Sequence, residues 1–322
     1  MRKPLCALFL LLFPAGSSAA SPAALEAIRE RQFSLQAPVD TVDVTAPAAA
    51  LPVDVSVPTR PTEDRSFNSY VLKAVDWLYA NYGRRGYDIK SILTHDIEYH
   101  DQGFIPARNP PLTMCVAAQM EVILTAYRLY AQETGDYSVY DYLPKRSFEG
   151  LSVSDLKGHI WVNHAPEFDS WGTADALIHF GMGERTAFRD LKPGGFVNIN
   201  RDNATGHAVT FIGFIDRHGD IQSEYNPNVA GFKYFSSQYG DDYSGLGYGN
   251  AVFRQHGCPD IPDKDCGVLD SADQHYLNTG TMLSPRFWRH PDGAAVASYP
   301  PDTVLDEHYF NGVTPDRINP DY

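Results

Sequence analysis

The feature that most constrains the fold is the stretch 193–228, PGGFVNINRDNATGHAVTFIGFIDRHGDIQSEYNPN, in which apolar runs alternate with turn residues. The run 207–214 is rich in Val, Phe and Ile, which is typical of β-strands, and the runs 196–199 and 221–226 on either side of it are read as shorter strands. The segments between them carry Asn, Asp, Thr and Gly, which turns favour. The stretch therefore predicts three consecutive strands and places a β-sheet at the centre of the fold.

This strand pattern contains a candidate catalytic histidine. Side chains alternate between the two faces along a strand, so Glu224 and Asn226 share a face of the predicted third strand. A simple hairpin register places residues 226–228 opposite His207. A carboxylate or amide there orients the imidazole, so that the other ring nitrogen points at a nucleophile. The alternative is an ordinary pair of strands, because His and Asn occur in many hairpins without a catalytic role.

The cysteines supply a candidate for that nucleophile. The chain has four cysteines, of which Cys6 lies in a predicted signal peptide. Cys258 and Cys266 are close in sequence and are expected to form a disulfide, which leaves Cys115 over. An odd cysteine with a His and an Asn or Glu elsewhere is a candidate nucleophile. The alternative is a buried thiol in an apolar core, which is common.

The surroundings of Cys115 predict a helix over residues 115–134, because apolar residues recur there at helical spacing. Thr113 is the expected N-cap and Gly135 the expected stop. Cys115 then lies in the first turn, where exposed amides and the positive end of the helix dipole lower the pKa of a thiol. The predicted fold is α+β, with an antiparallel sheet that carries His207 packed on this helix.

Taken in order, these pieces resemble the CHAP family, papain-like cysteine amidases and endopeptidases of bacterial cell walls that are related to NlpC-type peptidases. The resemblance rests on Cys115, LKPGG at 191–195, GHAV at 206–209 and EYN at 224–226. It implies a papain-like (NlpC/CHAP-type) core in which Cys115 attacks an amide. It also implies that His207 assists the attack and that Glu224, supported by Asn226, orients the ring. The hairpin register alone favours Asn226 or Asn228 instead.

The resemblance also implies the substrate, an amide bond in peptidoglycan, and a mechanism that needs no cofactor and no metal. Two rival functions stay open. One is a transglutaminase-like acyltransferase with the same Cys–His pair and an amine acceptor. The other is a non-enzymatic module that binds the cell wall or a partner and in which Cys115 belongs to the core. A cognate protein inhibitor is left open as a partner.

The N-terminal residues predict export. Residues 1–20 have a basic start, an apolar middle and a small-residue cleavage site, which is typical of a secretory signal peptide. A periplasmic or secreted protein is therefore expected, without stable membrane insertion. The formal net charge of −14 becomes −16 without the two basic residues of that segment. Such an acidic chain lacks the basic footprint that nucleic-acid binding requires.

The remaining chain divides by composition. Residues 21–65 are rich in Pro and Ala and are expected to form a linker or pro-segment. A hydrolase domain is expected over 66–257, with an insertion at about 135–172 that accounts for the long separation between the cysteine and the histidine. Residues 258–322 are expected to form a C-terminal extension wrapped on the domain.

One polar cluster precedes the predicted helix. His95, Asp96, Glu98, His100 and Asp101 are residue types that ligate divalent ions. Their spacing matches no defined metal motif, and a polar loop is the preferred interpretation.

Overall fold

The helix predicted from residue 115 is the central helix of the protein. It spans Cys115–Thr134, and its residues 115–127 are all buried. It ends at Gly135, which adopts the left-handed conformation with φ 74° that glycine tolerates at a helix end. The expected N-cap is displaced by one residue, since Met114 and not Thr113 occupies that position. A helix segment that is buried on all sides needs cover on all sides, which the rest of the fold provides.

A computed structural model describes residues 64–148, 172–200, 206–240, 244–269 and 277–289. The chain divides into two units, Met1–Pro61 and Thr62–Tyr322, and all described residues belong to the second. The predicted signal peptide and almost all of the predicted linker therefore lie outside the described residues. Within these residues, no helix is both long enough and apolar enough to span a membrane.

The described residues contain four α-helices and ten strands. The helices are α1 Asn68–Tyr82, α2 Cys115–Thr134, α3 Val139–Tyr142 and α4 Thr173–His179. The strands are β1 Ile97–Glu98, β2 Phe104–Ile105, β3 Gly183–Arg185, β4 Phe196–Asn200, β5 Gly206–Ile215, β6 Ile221–Gln222, β7 Gly231–Gln238, β8 Gly245–Phe253, β9 Lys264–Val268 and β10 Leu277–Met282. Short 3-10 turns cover His100–Gln102, Lys145–Phe148, Phe188–Asp190, Arg254–His256 and Pro285–Phe287.

Eight of the strands form one sheet in the order β3-β10-β4-β5-β7-β8-β9, with β6 attached to β5. All its pairs are antiparallel except β8 with β9, which is parallel. Strands β1 and β2 form a separate antiparallel pair. The α+β class is thus confirmed, and the antiparallel sheet does pack on the helix that begins at Cys115.

The two faces of the sheet carry different cores. Helices α1, α2 and α4 pack on one face, called the helix face here, which includes Phe196 and Ala208. The opposite face, called the far face, includes Val197, Val209 and Phe211. Because successive residues of β4 and β5 alternate between these two clusters, the register of each strand determines which side chains meet α2.

Two sequence-based boundaries differ from the structure. The predicted third strand over 221–226 is wrong beyond Gln222, because the chain leaves the sheet there and turns back. The sheet also runs past residue 257, where the domain was expected to end, since β9 pairs with β8 and β10 pairs with β3 and β4. Strands β9 and β10 therefore belong to the sheet, and pairing with distant strands is a property that local sequence does not reveal.

The predicted disulfide is confirmed. Cys258 and Cys266 are joined, with their Cα atoms 5.6 Å apart. Cys266 belongs to β9, so the bond ties the loop before this edge strand to the strand itself. Cys115 is not part of a disulfide.

Candidate active site

Cys115 is the first residue of α2 and is fully buried. Met114 precedes it in an extended conformation, with φ −114° and ψ 171°, and the amide of Ala118 donates to the Met114 carbonyl at 2.8 Å. The first turn of α2 contains no acidic residue. The dipole of the helix adds a partial positive charge at this end.

Three hydrogen bonds link α2 and the residues just before it to the sheet. Thr210 Oγ1 donates to Gln119 Oε1 at 2.7 Å, Gln119 Nε2 donates to Ser236 Oγ at 3.5 Å, and Ser237 Oγ donates to the Thr113 carbonyl at 2.9 Å.

These contacts set Cys115 level with Ala208. Cys115 lies one helical turn, about 5.4 Å, before Gln119. Ala208 lies two strand residues, about 7 Å, before Thr210, to which Gln119 is bonded. The start of α2 therefore lies at the N-terminal end of β5. The second residue of β5 is His207, so the candidate nucleophile and the candidate histidine lie at the same end of the sheet.

His207, however, faces away from α2. It pairs with Ile199 of β4, a far-face residue, and paired residues of antiparallel strands share a face. Its ring packs edge-on against Tyr234, also a far-face residue, with the ring centroids 5.5 Å apart. The imidazole is almost completely buried there. The structure therefore brings Cys115 and His207 to one end of the sheet but onto opposite faces.

Glu224 and Asn226 lie at the other end of β5. Strand β6 pairs with β5 only at Phe214 and Ile215, and Phe214 is about 23 Å along the strand from His207. β6 cannot extend toward His207, because β4 pairs with β5 over Gly206 to Thr210 and β7 pairs with its other edge.

Beyond β6, the two predicted residues form a turn. Asn226 Nδ2 donates to the Glu224 carbonyl at 3.2 Å, and Asn226 Oδ1 accepts from the Asn228 amide at 2.9 Å. Glu224 and Asn228 are exposed. The structure brings none of the three to His207, because the hairpin from which their role was predicted ends after two residue pairs.

A buried carboxyl group, that of Glu121, lies on α2 between one and two helical turns after Cys115. Glu121 is fully buried and accepts hydrogen bonds from the Thr94 amide and, at 3.2 Å, from Thr94 Oγ1. Burial raises the pKa of Glu121 to about 8, although the two bonds from Thr94 oppose the shift. Glu121 therefore holds the loop that precedes α2, and it does so mostly as the neutral acid at neutral pH.

The polar cluster before α2 is built as a structural loop. The ring of His95 stacks on Tyr82 with centroids 4.1 Å apart, and burial together with the charge of Arg128 lowers the pKa of His95 to about 4. Asp96 Oδ1 accepts from the Ala107 amide at 2.8 Å. Among the described residues, no group of three or more His, Cys, Asp or Glu side chains converges on a common point.

Sequence reasoning missed two polar residues that organise this region, Gln119 and Glu121. Both interrupt the apolar sequence CVAAQMEVILTAY, where an amide and a carboxyl group have no reason to be buried unless each finds a partner. The presence of two polar residues in an apolar helix is the sequence signal by which they could have been found. It identifies the two residues as buried polar contacts, but it does not identify Thr210 and Thr94 as their partners.

No protein-family model matches the chain, and no curated protein and no solved structure matches it significantly. What the fold defines is an α+β domain in which a buried helix begins with a cysteine above an antiparallel sheet. The resemblance to the CHAP family stays a prediction.

Proposed function

We propose that the protein is a secreted cysteine hydrolase with a papain-like (NlpC/CHAP-type) core, which cleaves an amide bond in peptidoglycan as an endopeptidase or amidase. One observation carries the proposal: Cys115 opens the central helix, level with the start of the strand that bears His207. Nucleophilic catalysis by cysteine pairs a thiol with an imidazole, and the proposal assigns these roles to Cys115 and to His207, which lies at the same end of the sheet but on its opposite face.

The reaction follows from these residue types. The Cys115 thiolate attacks the carbonyl carbon, the C–N bond breaks, and the leaving amine takes a proton from the imidazolium of His207. Water then attacks the thioester, the acid is released and the thiol is restored. Neither step needs a cofactor. In the structure the ring of His207 lies against Tyr234, on the face opposite Cys115, so this mechanism requires a change in the backbone at the start of β5.

A second candidate function is favoured by a different observation. The thiol of Cys115 is completely buried in the helix-face core. A thiol that is only a small apolar core group looks the same. In that case the protein is a module that binds the cell wall or a partner and carries out no reaction.

The mechanism predicts the effect of removing the imidazole. His207→Ala is expected to lower kcat/KM for purified peptidoglycan by about 100-fold or more, because general acid–base catalysis contributes that much. It should also eliminate one limb of the dependence of kcat/KM on pH. His218→Ala is the matched control, since His218 is exposed and lies in the turn after β5. Equal activity of the two variants would exclude His207 from the reaction.

Product analysis of the same reaction separates hydrolysis from acyl transfer. A hydrolase releases a new free amine and a new carboxylate from peptidoglycan. An acyltransferase of the transglutaminase kind forms a crosslink when an amine acceptor is present, and the carboxylate does not appear.

A further inference from the structure

A row of side chains crosses the helix face at the level of Cys115. Asn278 of β10 pairs with Asn198 of β4, and Asn198 pairs with Ala208 of β5, so all three share the helix face. Ala208 is the residue with which Cys115 is level. Adjacent strands are about 4.8 Å apart, so Asn198 lies one strand away from Ala208.

Asn198 has an unused donor. It is 3 % exposed, and its Nδ2 has no hydrogen-bond partner among the described residues. Thr173, the first residue of α4, is 1 % exposed, and its Oγ1 also has no hydrogen-bond partner among the described residues. Buried polar groups in native proteins are nearly always paired, so two unpaired donors near one another indicate a position for a bound oxygen.

Gly172 brings the two donors together. It adopts φ +146°, and a Cβ on this residue would lie 2.7 Å from the Cβ of Asn198. Any side chain at position 172 would push α4 away from β4, and with it Thr173, the next residue. The close contact therefore places the Thr173 hydroxyl and the Asn198 amide on the same side of the helix face, beside the start of α2.

We propose that Asn198 Nδ2 donates to the oxyanion that forms when Cys115 attacks a carbonyl group, with Thr173 Oγ1 as a second donor. This inference rests on the proposed function. As the S–C bond forms, the carbonyl π electrons move onto the oxygen, and a buried donor stabilises that charge more than the neutral carbonyl. Asn198 then acts as a catalytic residue, at a position that the sequence analysis did not select.

Two probes of Cys115 separate this role from mere packing. Acylation by p-nitrophenyl acetate passes through an oxyanion before p-nitrophenolate leaves, and its rate is read from the burst of p-nitrophenolate. Alkylation by iodoacetamide displaces iodide from a CH₂ group and forms no oxyanion. Asn198→Ala is expected to slow acylation by about 100-fold or more, the usual effect of removing one such donor, and to leave the alkylation rate within about twofold of wild type.

Asn68→Ala is the matched control, because Asn68 is a buried asparagine at the start of α1 that contacts Gly194, at the opposite end of β4. It should change neither rate. If Asn198→Ala does not fold, Thr173→Val decides the test, since it removes the hydroxyl and keeps the shape, and a loss of acylation of about tenfold is expected.

Unchanged acylation, or equal losses of acylation and alkylation, would overturn the role of Asn198 while leaving Cys115 as nucleophile. If the wild-type protein undergoes neither reaction, the proposed function itself fails and this inference fails with it.

Discussion

Replacing Cys115 with alanine is expected to lower the rate of peptidoglycan hydrolysis by about four orders of magnitude or more, because no other group replaces the nucleophile. The fold should persist. Position 115 lies in a helix, and alanine is the best helix former. Loss of one buried sulfur atom is expected to lower the free energy of unfolding by about 1 kcal/mol. Release of soluble fragments and of free amines measures the activity, and thermal unfolding measures the stability.

Ile123→Val is the matched control for this variant. Ile123 is buried in the same helix, two turns after Cys115, and the change removes a methyl group at a cost of about 0.5–1.5 kcal/mol. Activity should survive it. If Cys115→Ala keeps its activity, the protein is not a cysteine hydrolase acting through this residue. If the wild-type protein has no activity either, the binding module becomes the better account.

The second large effect concerns the stability of the protein against pH. Because burial raises the pKa of Glu121 to about 8, from 4.5 for an ordinary glutamate, the folded state binds a proton that the unfolded state releases between these values. The contribution of Glu121 to stability is fully present below about pH 4.5 and is lost as pH rises through 8. The total loss is on the order of 5 kcal/mol at most.

Glu121→Gln is therefore expected to match wild type near pH 5 and to exceed it above pH 8. The amide oxygen still accepts from Thr94, and the side chain no longer ionises. Denaturant unfolding at several pH values measures the difference. Glu133→Gln is the control, since Glu133 is an exposed residue of the same helix. The hydrogen bond from Lys73 lowers the pKa of Glu133, which is the opposite direction to the shift of Glu121. Parallel curves for wild type and Glu121→Gln would contradict the prediction.

Local features of the sequence predicted the parts of the fold that depend on neighbours in the chain. The apolar spacing after Cys115 gave the helix bounds, Gly135 gave its end, and the two cysteines eight positions apart gave the disulfide. The strands at 196–199 and 207–214 were also placed to within a residue at each end. In each case the residues that decide the conformation lie close together in sequence.

Pairings between distant segments could not be predicted in this way. The hairpin model assumed that the chain after β5 continues alongside it, whereas β7 and β4 occupy its two edges. Because β4 and β7 occupy these edges, Glu224 and Asn226 do not reach His207. The sequence also does not show on which face of the sheet His207 lies. Alternation along a strand determines which residues share a face, but not which face the helix covers. For the same reason, the sequence does not show that Asn198 lies on the face that the helix covers.

The direct test of the central claim is the rate at which iodoacetamide modifies Cys115 in the native protein near pH 7, followed by mass spectrometry. The disulfide protects Cys258 and Cys266, so the reaction reports on Cys115. A catalytic thiol at a helix start is expected to react faster than glutathione at the same pH, because more of it is thiolate. Modification that occurs only as fast as the protein unfolds would show that Cys115 is a core residue and would contradict the proposed hydrolase.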